Sequence, residues 1–159
     1  MKKLAALALL FPLAACGFRP MYADNLDPQL AAIFVEPVAE RDGYELRNTL
    51  IDLLHSDGDK AGKRYRLHIV MNESSQGIAL QNDATITRYN TTLGATFELY
   101  DMKGDLLTKG TQSEMAAYNV VQSPYATLTA QMDSSKRAAQ DVAERIHLDL
   151  GVWFRNRKK

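Results

Sequence analysis

Only one thiol, Cys16, occurs in 159 residues, so no disulfide framework holds this chain and its stability has to come from an apolar core. Histidine is scarce too. His55, His68 and His147 lie far apart, and neither a His-Glu-x-x-His nor a Cys-x-x-Cys spacing occurs, which leaves zinc without a ligand set. There is no Gly-x-Ser-x-Gly elbow and no phosphate-cradling glycine loop. Asp141 and Glu144 lie one turn apart on a helical stretch, where paired carboxylates ordinarily just meet solvent. No metal, no cofactor and no catalytic residue are expected, so an enzyme, a cell-wall hydrolase included, is disfavoured. Charge of one sign is missing as well: 19 basic residues face 19 acidic ones. The broad positive field that nucleic-acid binding needs is therefore absent. No apolar run reaches the roughly 20 residues of a membrane-spanning helix, because Arg19 and Pro20 break the N-terminal one. Repeats at solenoid spacing are also absent.

What is present begins at the N-terminus. Lys2 and Lys3 precede an apolar stretch from Leu4 to Leu13, and the small residues Ala14 and Ala15 abut Cys16. A basic segment, a short apolar core and small residues at a cut site make a secretory signal. With the thiol in place, the stretch is similar to a bacterial lipobox. That likeness implies a diacylglyceryl thioether on Cys16, cleavage before it, and acylation of the freed amine. Lone cysteines are usually small buried core residues, but this one falls directly after the signal's small residues. Acylation also explains how an exported chain tolerates an unpaired thiol. Each buried methylene contributes about 0.8 kcal/mol, so one chain anchors weakly and two or more anchor stably. In lipoproteins of this kind an Asp after the cysteine is the better-known inner-membrane retention signal; Gly17 stands there, which favours the outer membrane.

Residues 1–15 are thus read as a removed signal, 16–28 as a lipidated N-terminus and extended tether, and 29–159 as a single domain. Removal of Lys2 and Lys3 leaves 17 basic residues against 19 acidic, and a net charge near −2. The tether is rich in turn formers, with Pro20, Asp24, Asn25, Asp27 and Pro28. Ala31 to Val35 is a short apolar run stopped at Pro37, which fits a buried strand. Asp42, with Glu45 three residues on, predicts a capped helix carrying Leu46, Leu50, Leu53 and Leu54 and running to about His55. Ser56 to Asp59 is turn chemistry.

Tyr65, Leu67, Ile69 and Met71 then alternate with Arg66, His68 and Asn72, the pattern of a strand with one face buried; Val70 is the one apolar residue on the other face. Residues 74–83 are read as a long hairpin loop or the start of another strand. From Ala84 to Tyr100 the alternation is long, with Tyr89, Leu93, Ala95, Phe97 and Leu99 on one parity, Ile86 on the other, and a β-bulge expected near Thr87 and Arg88. Asp101 to Asp105 is a hairpin turn around Gly104, and a strand from about Leu106 to Asn119 returns. Ser123 and Pro124 then open a long helix, with Leu128, Met132, Ala139, Val142, Ile146, Leu150 and Trp153 on its apolar stripe and Lys136, Arg137, Gln140 and Asp141 opposite. The basic tail from Arg155 to Lys159 is expected to fray. The fold class is α+β, a two-layer sandwich of two helices on a mostly antiparallel sheet of about four strands, in the order β-α-β-β-β-α.

Three stretches carry a family likeness: Cys16-Gly17-Phe18-Arg19-Pro20-Met21-Tyr22 after the lipobox, Tyr44-Glu45-Leu46-Arg47-Asn48-Thr49-Leu50 in the first helix, and Tyr118-Asn119, Pro124-Tyr125-Ala126 and Arg137-Ala138-Ala139 around the last strand and helix. In this order the chain resembles the LptE family of lipopolysaccharide-assembly lipoproteins. The resemblance implies a non-enzymatic role in the Gram-negative outer membrane, on its periplasmic side. Family members sit in the mouth and lumen of the large β-barrel LptD, help it assemble, and assist lipopolysaccharide transport to the outer leaflet. An auxiliary lipoprotein of an envelope lipid transporter is the alternative, since it would share both anchor and fold. A barrel plug needs polar surface, and the strand positions Arg66, His68, Asn72, Asn90, Thr92, Thr96 and Glu98 offer it, as would any solvated sheet face. Lipopolysaccharide presents phosphates and acyl chains, so its site needs cations beside apolar surface. From the strand pattern, Arg64, Arg66, Arg88, Lys103 and Lys109 are the candidates.

Overall fold

A computed structural model describes residues 27–80 and 85–157 of the chain. The signal segment, Cys16 and most of the tether lie outside the described residues. The element order is α1 (Asp27–Leu30), β1 (Ile33–Val35), α2 (Glu40–Leu53), β2 (Tyr65–Leu80), β3 (Ile86–Asp101), β4 (Leu106–Asn119) and α3 (Pro124–Arg157). The strands form one sheet in the order β1-β2-β3-β4. β1 lies parallel to β2, because a helical crossover joins them. The β2–β3 and β3–β4 pairs are hairpin-connected and antiparallel. This is the two-layer α+β sandwich that the alternation and helical periods imply.

Among the described residues the sheet is covered on one face only. Leu67 and Ile69 on β2 and Leu93, Ala95, Phe97 and Leu99 on β3 share that face and are buried against Leu46, Leu50 and Leu54 of α2 and its end, and Ala139, Val142, Ile146 and Leu150 of α3. Two ring contacts close the end near the start of β2, where Phe154 meets Tyr65 at 5.1 Å and Trp153 at 4.7 Å. Toward the other end the covered face turns polar. Ser75 Oγ and Thr91 Oγ1 are 3.0 Å apart, and Ser135 Oγ on α3 donates to Glu73 Oε1 at 3.5 Å.

Local details depart from the sequence expectation at several points. Asp27 and Pro28 belong to a short helix, not to the tether, and this helix seats Leu30 in the core. Asp42 does not cap the first helix. Ala39 occupies that place without a side-chain hydrogen bond, and Asp42 sits inside the first turn. At the next residue the Pro37–Ala39 connection crosses so closely that a Cβ on Gly43 would lie 2.7 Å from Val38 Cγ1. This tight connection sets the start of α2. At its other end the Ser56 N–H donates to the Ile51 carbonyl (2.9 Å) and the His55 N–H to that of Asp52 (3.1 Å), with His55 at φ 51°. That is a Schellman motif in which histidine takes the left-handed position usual for glycine.

Residues 74–80 continue β2 as strand and are not a loop. The irregularity expected at Thr87 and Arg88 is there, and it is double: between Gly77 and Ala79 the extra residue is Ile78 on β2, and between Ala79 and Leu80 it is Thr87 on β3. Ser123 caps α3 as expected, its Oγ accepting from the Ala126 N–H at 3.4 Å. The stripe, however, outruns the layer beneath it: Leu128 is 53% exposed and Met132 37%. At the C-terminus Arg155, Asn156 and Arg157 stay helical, and the Arg157 guanidinium lies 5.1 Å from the centre of the Trp153 ring.

Candidate functional site: the open face of the sheet

The strands place every second side chain on the uncovered face, and their register aligns these side chains in rows across β2, β3 and β4. The first row is Arg66, Tyr100 and Leu106; the next are His68, Glu98 and Lys109; Val70, Thr96 and Thr111; Asn72, Gly94 and Ser113; Ser74, Thr92 and Met115; and Gln76, Asn90 and Ala117. At about 3.3 Å per residue the rows from Arg66 to Gln76 span roughly 33 Å. Hydroxyl, amide and charged groups dominate, and Val70 and Met115 are each 58% exposed.

One charged network stands at the β1 end of this face. Glu36, just after β1, accepts from Arg66 Nη1 at 2.9 Å, and its other oxygen lies 2.7 Å from His68 Nδ1. The Arg66 guanidinium sits 4.7 Å from the centre of the Tyr100 ring, and the Tyr100 hydroxyl donates to the Glu98 carboxylate. Burial works to raise the Glu36 carboxyl, but the hydrogen bonds from Arg66 and His68 outweigh it and hold the group below its ordinary value. The hydrogen bond to Glu98 pushes the Tyr100 phenol up. Arg66 is thereby fixed in place. Its free surface is reduced to the part of the guanidinium that neither Glu36 nor Tyr100 occupies.

The five cations singled out from the strand pattern are not brought into one cluster. Arg66 and Lys109 share the open face in adjacent rows. Arg64 immediately precedes β2, 5.6 Å from the Tyr65 ring centre, and Lys103 lies in the β3–β4 turn, its N–H donating to Asp101 Oδ1 at 2.8 Å. All four belong to the end of the sheet where Tyr65 pairs with Asp101. Arg88 pairs with Asn119 at the opposite end. The network itself was missed in the sequence because Glu36 lies some 30 residues from Arg66. The available signal was the shared parity of Arg66, His68, Glu98 and Tyr100 on two neighbouring strands.

Among the described residues no group of three or more metal-capable side chains converges, and no helix is long and apolar enough to cross a membrane. A long sheet that, among the described residues, is covered by two helices on one side and bare and polar on the other defines a two-layer α+β domain that presents a surface. The chain belongs to the LptE lipopolysaccharide-assembly family, whose model matches residues 30–150. That family is named for assembly, not for catalysis. The fold is similar to that of a Caulobacter crescentus protein described as a lipoprotein, at 31% identity and a TM-score of 0.70, covering 84% of this chain and 98% of that one. It is also similar to rare lipoprotein B of Shewanella oneidensis, at 12% identity and a TM-score of 0.62, over 80% and 98% of the two chains. An uncharacterized protein of Rickettsia prowazekii is 24% identical over 145 residues, 89% of this chain and 90% of its own.

Proposed function

We propose that this chain is an outer-membrane lipoprotein, anchored by acyl groups on Cys16, whose domain sits on the periplasmic side within the lumen of a large LptD-type β-barrel. There it helps the barrel assemble and assists lipopolysaccharide to the outer leaflet. The observation that carries this reading is the open face: six rows of mostly polar side chains with no described helix over them, in a chain of the lipopolysaccharide-assembly family. A wet lumen accepts such a face without desolvating apolar surface. The likeness to lipoproteins of the same fold supports the anchor.

The first rows suit lipopolysaccharide best. Arg64, Lys103 and Lys109 belong to that end of the sheet, without forming one cluster, as do Met102 and Leu106, both 48% exposed, and cations and apolar side chains at one end match a ligand of phosphates and acyl chains. Arg66 supports Tyr100 in that end, and Arg88 stands apart from it.

The test removes the anchor. Residues 17–159 are expressed behind a cleavable secretory signal, and the barrel is purified. A plug held by an enclosing protein interface stays with the barrel, since its buried area exceeds the roughly 1,200–2,000 Å² of a standard interface. Recovery only as a soluble periplasmic monomer, with the barrel at normal abundance, would sink the plug reading. Recovery with an inner-membrane transport complex would replace it by the transporter-auxiliary one.

A further inference from the structure

We propose that the bare edge of β2, from Ile69 to Gly77, is a docking strand: an extended, cation-bearing segment of the barrel partner pairs with it in line with β1 and sets its basic side chain against Glu73 and Asp42. This rests on the plug reading above and names the place of contact.

The edge follows from β1 being only three residues long. On this side the Tyr65 N–H donates to the Ala32 carbonyl (3.2 Å) and the Leu67 carbonyl accepts from the Glu36 N–H (3.0 Å). Backbone groups of alternate residues point the same way along a strand, so those of Ile69, Met71, Glu73, Ser75 and Gly77 point outward beyond the end of β1. No described strand pairs with them. Pro37 turns the chain away, and the divergence opens a slot of about 290 Å³ between Pro37–Gly43 and β2. Side chains of both faces of β2, His68 and Asn72 on one and Ile69 and Glu73 on the other, line it. The slot therefore runs along the strand edge, where an added strand would lie. Folded proteins ordinarily shorten, bulge or cover such an edge; here the bulge comes only after Gly77.

Charge selects the occupant. Glu40, Asp42 and Glu73 adjoin the slot, and among the described residues none of the three has an ion-pair partner, although six other such pairs form. Burial, and then the hydrogen bond and charge of Asp42, push the Glu73 carboxyl up, so an arriving cation relieves an unfavourable arrangement. A second copy of this chain, paired antiparallel about Glu73, would set Glu73 against Glu73, which like charges across a strand pair disfavour.

The experiment uses the mature acylated protein, alone and purified with the barrel, and follows hydrogen–deuterium exchange at the outward amides of Ile69, Met71, Glu73, Ser75 and Gly77, the intervening amides being held by β3 in either state. The expected result is rapid exchange alone and at least tenfold slower exchange in the complex. Ser75→Pro removes an outward N–H, which an edge strand tolerates, and should weaken the complex about tenfold, the effect of one or two lost backbone hydrogen bonds. Ser75→Ala, which loses the hydroxyl contact to Thr91 and keeps the N–H, should not. Glu73→Gln should weaken it severalfold. If the complex forms but these outward amides exchange as fast as in the free protein, the docking strand is wrong and the plug reading stands. Protection already present in the free protein would mean a second copy or the chain's own N-terminal stretch holds the edge, and would also overturn the proposal. Failure of the barrel to copurify removes both. A misfolded Ser75→Pro variant leaves the exchange comparison on the wild-type chain to decide.

Discussion

The two faces of one sheet differ by a single-residue step along each strand. Leu67, Ile69, Leu93, Ala95, Phe97 and Leu99 vanish under the helices, while Arg66, His68, Val70, Asn72, Thr96 and Glu98 stay partly or fully open to solvent. The first set makes the fold cooperative. The second is free to be shaped by a partner, because a polar side chain on an open face costs the fold little. The difference assigns stability to one parity and recognition to the other, and substitutions can test it one face at a time.

The largest effect is expected in the core. Ile146, fully buried on α3, should cost about 2–5 kcal/mol on truncation to Ala, while the neighbouring Arg145, exposed and paired with Glu114, should cost under about 1 kcal/mol. Equal shifts in urea midpoint would mean that the helix faces the sheet differently. Next comes Gly110→Ala on β4: its Cβ would lie 2.7 Å from the Phe97 ring, an overpacking expected to cost about 1–3 kcal/mol. A matching substitution on the open face, Thr111→Ala, should stay within about 0.5 kcal/mol.

A smaller effect separates two carboxylates by pH. Glu36 is held below its ordinary 4.5, so its contribution is complete above pH 4.5 and fades as pH falls through the lowered value. Glu73 is pushed above 4.5; its contribution is complete below pH 4.5 and fades as pH rises through the raised value. Glu36→Gln should therefore lower stability at pH 7 by about 0.2–1 kcal/mol and do little at acid pH, whereas Glu73→Gln should leave stability at pH 7 unchanged or raised. Denaturant midpoints at the two pH values read both signs. The smallest effect is expected at Leu128, more than half exposed, where Ala should cost under about 0.5 kcal/mol although it shares the helical stripe with Ile146.

Leu128 also shows where sequence reading stops. The period of three and four that placed Ile146 correctly runs on through Met132 and Leu128, yet periodicity does not reveal how far the opposing layer extends. α2 begins beside Lys136, which pairs with Glu45 at 2.7 Å, and nothing in the stripe encodes that limit. The alternation of Leu93, Ala95, Phe97 and Leu99 was legible because both neighbours of β3 are antiparallel and in register there. Asp42 with Glu45 gave a capping pattern, but the close crossing of Val38 over Gly43 decided where α2 starts. His55 in the left-handed position carries no sequence signal, since glycine or asparagine usually marks it. Of the site, the parity of the open face could be read and its cross-strand partners could not. Glu36 meets Arg66 and His68 through the parallel β1–β2 pairing, which a linear pattern does not register. The scatter of Arg88 from the other four cations has the same origin: position along a 16-residue strand separates residues that composition groups together.

The most direct measurement of the central claim, that the open face meets the barrel, is thiol accessibility on that face. With Cys16 acylated as proposed and so unreactive, a single Thr96→Cys substitution in the third row gives one reactive probe. The account predicts that a membrane-impermeant maleimide, admitted to the periplasm, labels Cys at 96 quickly in cells depleted of the barrel and at least tenfold more slowly when the barrel is at normal abundance. Equally fast labelling in both, with the lipoprotein still bound to the barrel, would contradict it.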